Sequence, residues 1–124
     1  MKIRIKDNSV RFRLTRSEVE EFGNTGHYAS HTEFNGSKFG YALQVQDGIS
    51  ELQAGFTDNT ITLYVPINLA EEWANTDKVG LANSYTLNSG KPLLLLLEKD
   101  FVCLDERSED ESDNYPNPKA TIHE

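Results

Sequence analysis

Apolar and charged positions alternate in "KIRIK" and again in "VRFRL", with the turn-forming "DNS" between them. Side chains in a strand point alternately to opposite faces, so this pattern predicts a β-hairpin over residues 2–6 and 9–14. Ile3, Ile5, Val10, Phe12 and Leu14 face inward, and Lys2, Arg4, Lys6, Arg11 and Arg13 face outward. The period then changes. In "TRSEVEEF", Thr15 and Glu18 have the spacing of a capping box, in which each side chain satisfies the other residue's backbone N–H. A short helix is expected at 16–22, burying Val19 and Phe22 and stopped by Gly23. Two further strands follow at about 27–34 and 38–46, joined through "NGS".

The order then repeats. "ELQAGFT" and "TITLYVP" form a hairpin around "DN". "PINLAEEWANT" is a second short helix with Pro66 at or near its first turn. "VGLANSYTL" and "KPLLLLLE" pair across "NSG". Each half therefore reads ββαββ. At a constant offset of 51, residues 2–47 align on 53–98 without a gap, and six of the seven identities fall in residues 7–25. Phe22 aligns with Trp73. One such unit of about 45 residues buries too little surface to be stable alone, so the halves are expected to cover each other. The predicted fold is mainly β (α+β): two ββαββ pseudo-repeats forming a small barrel or half-barrel over residues 1–98, with an acidic C-terminal extension at 99–124 packed on it or tethered to it.

"ITLYVPINLAEEWANTDKVGLA" resembles the swapped-hairpin barrel of bacterial transition-state regulators and antitoxins. Val65, Pro66, Leu69, Trp73, Asp77 and Val79 fit that pattern, while Thr76 stands where that family has Gly. The resemblance implies a fold but not DNA binding, because Lys78 is the lone cation between Thr57 and Leu87. Both ends of the chain, "MKIRIKDNSVRFRLTRSEV" and "LLLLLEKDFVCLDERSEDESDNYPNP", and the central "LAEEWANTDKVG" are similar to a family of small uncharacterised bacterial proteins. That resemblance implies no activity and no catalytic residue.

Charge refines this picture. The 124 residues carry a net charge of -8, which argues against nucleic acid as a partner. Yet residues 1–16 hold six cations, Lys2, Arg4, Lys6, Arg11, Arg13 and Arg16, against Asp7 alone. Such a face suits a small anion or an acidic protein, and the plain alternative is a solvated edge hairpin protected by its charges. The acids of "DERSEDESD", Asp105, Glu106, Glu109, Asp110, Glu111 and Asp113, are expected to fold back onto Arg4, Arg11, Arg13 or Arg16. Phe101, Val102, Leu104 and "YPNP" would anchor them. The plain alternative here is a solvated acidic tail.

Other chemistry is poorly supported. His27 and His31 share a strand face but lie about 13 Å apart in an extended strand, too far to share one ion, and His31 with Glu33 supplies two ligands only. Cys103 has apolar neighbours and reads as a buried thiol. A lone cysteine excludes an internal disulfide and fits a reducing cytoplasm. The longest apolar run is Leu93–Leu97, and "MKIRIKDNSV" lacks the apolar core of a secretory signal, so no membrane association is expected. Glu20–Glu21 and Glu71–Glu72 recur at equivalent places and could form a carboxylate pair, or simply face solvent. The function expected is a non-enzymatic cytoplasmic binding or interaction module without a cofactor or metal. The alternative is a small enzyme using paired carboxylates on a phosphorylated substrate. A regulatory partner of toxin–antitoxin type rests on fold analogy alone.

Overall fold

A computed structural model describes residues 1–101 and 112–116. The first half runs β1 (Lys2–Lys6), β2 (Ser9–Leu14), α1 (Arg16–Thr25), β3 (His27–Phe34) and β4 (Ser37–Gln46). The second runs β5 (Gln53–Thr57), β6 (Thr60–Pro66), α2 (Ile67–Asn75), β7 (Gly80–Thr86) and β8 (Pro92–Lys99). The repeated ββαββ order is therefore present, and the class is α+β with strand predominating. Asp58 and Asn59 turn the third hairpin with φ of 53° and 57°, the left-handed pair that a two-residue type I′ turn requires.

The halves interlock. One sheet has the order β1-β2-β8-β7 and the other β3-β4-β6-β5. Exchanging each strand for its counterpart in the other half turns one order into the other. Each sheet thus joins the first hairpin of one half to the second hairpin of the other. The central pairs, β2 with β8 and β4 with β6, are both parallel. Matched hydrogen bonds mark the correspondence: Leu94 N–H donates to Asn8 O at 3.0 Å, and Gly40 N–H to Asn59 O at 2.8 Å.

These registers correct the gapless alignment. The offset is 51 through the first hairpin and helix but 54 between β4 and β8. Two extra residues lie between Thr76 and Val79, and one more lies in the turn before Lys91. The counterpart of Leu43 is consequently Leu97, both fully buried, and the identity of Leu43 with Leu94 is an accident of the ungapped offset.

The two sheets share one core. Phe12, Leu14, Leu95 and Leu97 come from one sheet, and Leu43, Leu63 and Val65 from the other. Phe22 and Trp73, both fully buried, meet edge to face with ring centroids 6.1 Å apart, so the two helices touch through equivalent residues. The barrel does not close. Among the described residues no strand of one sheet pairs with a strand of the other. Facing sheets with filled interiors lie about 10 Å apart, twice the spacing at which strands hydrogen-bond.

Gly23 does not stop α1. The helix runs to Thr25 and ends at Gly26, which has φ of 76°. Gly23 instead lets the helices approach, because a Cβ there would lie 3.0 Å from the Ala74 Cβ. Ile5, expected inward, is 54% exposed. With Phe39, Phe56 and Leu93 it lines an apolar groove of about 410 Å³ at the end of the sandwich away from the helices.

Candidate functional site

Strand alternation places the cations of β1 and β2 on the outer face of their sheet, and the registers arrange them in rows. Lys2 lies opposite Arg13, which neighbours Glu98; Arg4 lies opposite Arg11, which neighbours Leu96; Lys6 lies opposite Ser9, which neighbours Leu94. On β7 the rows end in Gly80, Ala82 and Ser84, small side chains that leave the face low on that side.

Carboxylates compensate one end of this face. Arg11 Nε lies 2.5 Å from Glu98 Oε1. Asp100, only 1% exposed, takes Lys2 Nζ at 3.1 Å and Arg13 Nη2 at 3.3 Å. Among the described residues, Arg4 and Lys6 have no carboxylate within ion-pair distance. The structure therefore brings five of the six expected cations onto one face. Arg16 stands apart, in the first turn of α1, with its guanidinium 5.5 Å from the centre of the Tyr115 ring.

Of the acids expected to fold back onto the cations, only Asp113 is among the described residues. Asp105, Glu106, Glu109, Asp110 and Glu111, like Cys103, lie outside the described residues. Asp113 meets the start of α1 rather than the sheet cations. Its Oδ2 accepts from Ser17 Oγ at 2.5 Å, and its backbone carbonyl accepts Arg16 N–H at 2.9 Å. The Ser17 hydroxyl is the main reason that its carboxyl stays below the usual range. Among the described residues, Glu98 and Asp100 compensate the sheet cations. Glu98 was legible, since alternation along β8 puts it on the outer face with Leu94 and Leu96. Asp100 was not, because it lies just beyond the strand.

His27, His31 and Glu33 lie exposed along β3, and among the described residues no three potential metal ligands cluster. Glu20, Glu21, Glu71 and Glu72 are exposed on the two helices, and Glu72 Oε1 lies 2.9 Å from Lys78 Nζ. No described helix is long and apolar enough to cross a membrane.

A second concave site lies at the helical end. A cleft of about 790 Å³ is bounded by α1, α2, Lys99, Phe101 and Tyr115. Phe101 and Tyr115 are joined by an isolated parallel bridge. Lys99 is 6% exposed, and its Nζ donates to Thr76 O at 2.7 Å and lies 5.4 Å from the centre of the Tyr115 ring. Burial pushes this amine below the ordinary lysine range, against a smaller opposing effect of the Asp77 charge.

Glu18 ties the start of α1 to β3. It forms the expected capping box with Thr15, accepting the Thr15 N–H at 2.8 Å, and also receives the Met1 ammonium and the Tyr28 hydroxyl. Burial alone would raise its carboxyl, but the ammonium and the Thr15 N–H outweigh burial and hold it below its ordinary value. Burial, then the charge of Glu18 and the hydrogen bond to it, push the Tyr28 phenol up to about 12. A carboxyl lowered on folding contributes stability above its unfolded value of 4.5 and loses it as pH falls through the folded value. Glu18→Gln should therefore cost about 1–2 kcal/mol at neutral pH and almost nothing once both states are protonated. Urea titrations at several acidic pH values check this, and parallel stability curves for variant and parent would contradict it.

No curated protein and no solved structure matches the chain. A family model does, from the first residue almost to the last, taking in the cationic hairpin, both helices and the Lys99–Tyr115 cleft. The chain belongs to a family of unknown function, DUF7009, whose model covers residues 1–119.

Proposed function

We propose that the protein is a non-enzymatic binding module of the cytoplasm, and that the outer face of β1 and β2 takes an acidic protein partner or a small anion. Lys2, Arg4, Lys6, Arg11 and Arg13 form the contact; Arg16, expected with them, lies apart at the start of α1. One observation carries the reading. Arg4 lies directly opposite Arg11 with Lys6 beyond, and among the described residues only Arg11 of these three meets a carboxylate. Like charges placed across a strand pair destabilise the sheet, so this arrangement costs stability in the free protein and an acidic partner relieves it. The lone cysteine and the absence of a membrane-crossing helix among the described residues support the compartment. The matched strand orders and the paired Asn8 and Asn59 hydrogen bonds support a duplicated origin for the two halves.

The test is retention on immobilised polyglutamate at low ionic strength. The parent should be retained and released by added salt, and Arg4→Gln/Lys6→Gln should elute markedly earlier. Thermal stability of the double variant should change by no more than about 0.5 kcal/mol, because both side chains are on the surface. Equal retention of variant and parent would remove the outer face as the contact.

A further inference from the structure

The pseudo-symmetry of the fold gives every position a counterpart, so a departure from it can be located. The helical end carries two related concavities. The larger is the cleft of about 790 Å³ lined by Arg16, Val19, Glu20 and Lys99. The smaller, about 140 Å³, is lined by Ile67, Ala70, Glu71 and Val45. These are pseudo-symmetric counterparts, each built from a helix of one half and a strand of the other: the helix residues differ by the offset of 51, and Val45 and Lys99 by the offset of 54. The backbones agree as well. Val45 N–H donates to Gly26 O at 2.9 Å, and Lys99 N–H donates to Val79 O at 3.0 Å, each acceptor standing immediately before the next strand. The glutamates correspond, and the small apolar pair Val19 and Ala70 corresponds. The two remaining pairs do not. Where the smaller concavity has Ile67 and Val45, the larger has Arg16 and Lys99.

Both differences run from apolar to cationic, and both fall on the larger concavity. Burying an ammonium is costly unless it is paired. Lys99 is 6% exposed, and among the described residues its ammonium has one hydrogen bond, to a neutral carbonyl, together with the face of Tyr115. Thr76 O follows the C-terminus of α2, so the amine does complement that helix end. That use needs one of its three N–H donors and does not account for Arg16 or for the volume beside them. Glu20 and Asp77 also line the cleft and would repel a ligand of high negative charge.

We propose that the Arg16–Lys99 cleft binds a small oxyanion of low charge, a carboxylate or a phosphate, with Lys99 donating to it from the cleft wall and Arg16 from the rim. The site is distinct from the outer face of β1 and β2, and it stands or falls separately from the function proposed for that face. Acetate and inorganic phosphate are the two probes, each balanced by chloride at equal ionic strength. They are read by thermal stability and by NMR of the lysine Nζ–H groups in the full chain. A ligand bound only by the folded state raises the melting temperature as its concentration rises, and the Lys99 signal should shift in a saturable way with at least one probe.

The decisive variant copies the smaller concavity. Arg16→Ile/Lys99→Val places residues that fold at the equivalent positions, and it should lose the response. Lys99→Met alone should weaken binding by about tenfold to a hundredfold, the range of one to two charge-assisted hydrogen bonds. Arg4→Gln/Lys6→Gln should leave the response intact. The assignment is overturned if neither probe moves the Lys99 signal, if Arg16→Ile/Lys99→Val responds like the parent, or if Arg4→Gln/Lys6→Gln abolishes the response.

Discussion

Trp73→Ala is expected to destabilise the fold by about 3–5 kcal/mol, a large fraction of the about 5–15 kcal/mol that holds a single domain folded. Trp73 is fully buried at the contact of the two helices. Its removal takes away the largest side chain of the core and the partner of the Phe22 ring. It also removes one of the two donors to the Val79 carbonyl, which accepts the indole N–H at 3.1 Å and the Lys99 N–H at 3.0 Å. Both helices link one sheet to the other, so a cavity here loosens every crossover in the molecule. Trp73→Phe restores most of the volume but not the donor, and should cost about 1–2 kcal/mol. Phe56→Ala, at a ring 63% exposed, should change stability by no more than about 0.5 kcal/mol. Urea denaturation of the three variants checks the series, and a loss at Phe56 rivalling that at Trp73 would contradict it.

The second large effect is expected at Asp100. Asp100→Asn should cost about 2–3 kcal/mol, because a buried carboxylate is replaced by an amide that cannot neutralise Lys2 and Arg13. The figure lies below that for a wholly buried pair. Lys2 and Arg13 are 41% and 28% exposed, and both can turn towards water when the carboxylate is gone. Arg13→Met in the Asp100→Asn background should therefore cost less than the same change in the parent, and a double-mutant cycle gives the coupling. Strict additivity would mean that Asp100 and Arg13 do not interact in solution.

Local pattern made most of the elements legible. Alternation set β1 and β2, and the Thr15–Glu18 spacing set the start of α1. The repeat of "ββαββ" placed Phe22 and Trp73 as counterparts, and the structure puts them in contact. What local pattern could not reach is pairing at a distance. Nothing near Leu94–Leu97 says that these residues lie beside Ser9–Phe12 rather than beside their own half. Gly23 misled because glycine at a helix end and glycine at a helix–helix contact read alike until the second helix is placed. The cationic face was readable in outline, since its parity is fixed by β1 and β2, but its compensation by Asp100 was not. "EKD" looks like the start of an acidic tail. In the structure Lys99 ends β8 and Asp100 N–H donates to Leu14 O at 2.8 Å, which draws both residues inward. The Arg16–Lys99 pairing needs the corrected register. On the gapless alignment Lys99 has Gly48 as its counterpart, and the contrast with Val45 disappears.

Each central strand takes its parallel neighbour from the opposite half, and this has a kinetic consequence. Ser9 pairs beside Leu94, so β2 must wait for a segment 85 residues downstream before its free edge is covered. Closing so long a loop is entropically expensive and places the molecule among slow, topologically non-local folders. During synthesis the emerging chain carries a complete first half that has no sheet to join. The β1–β2 hairpin gains its sheet neighbour only when β8 has left the ribosome.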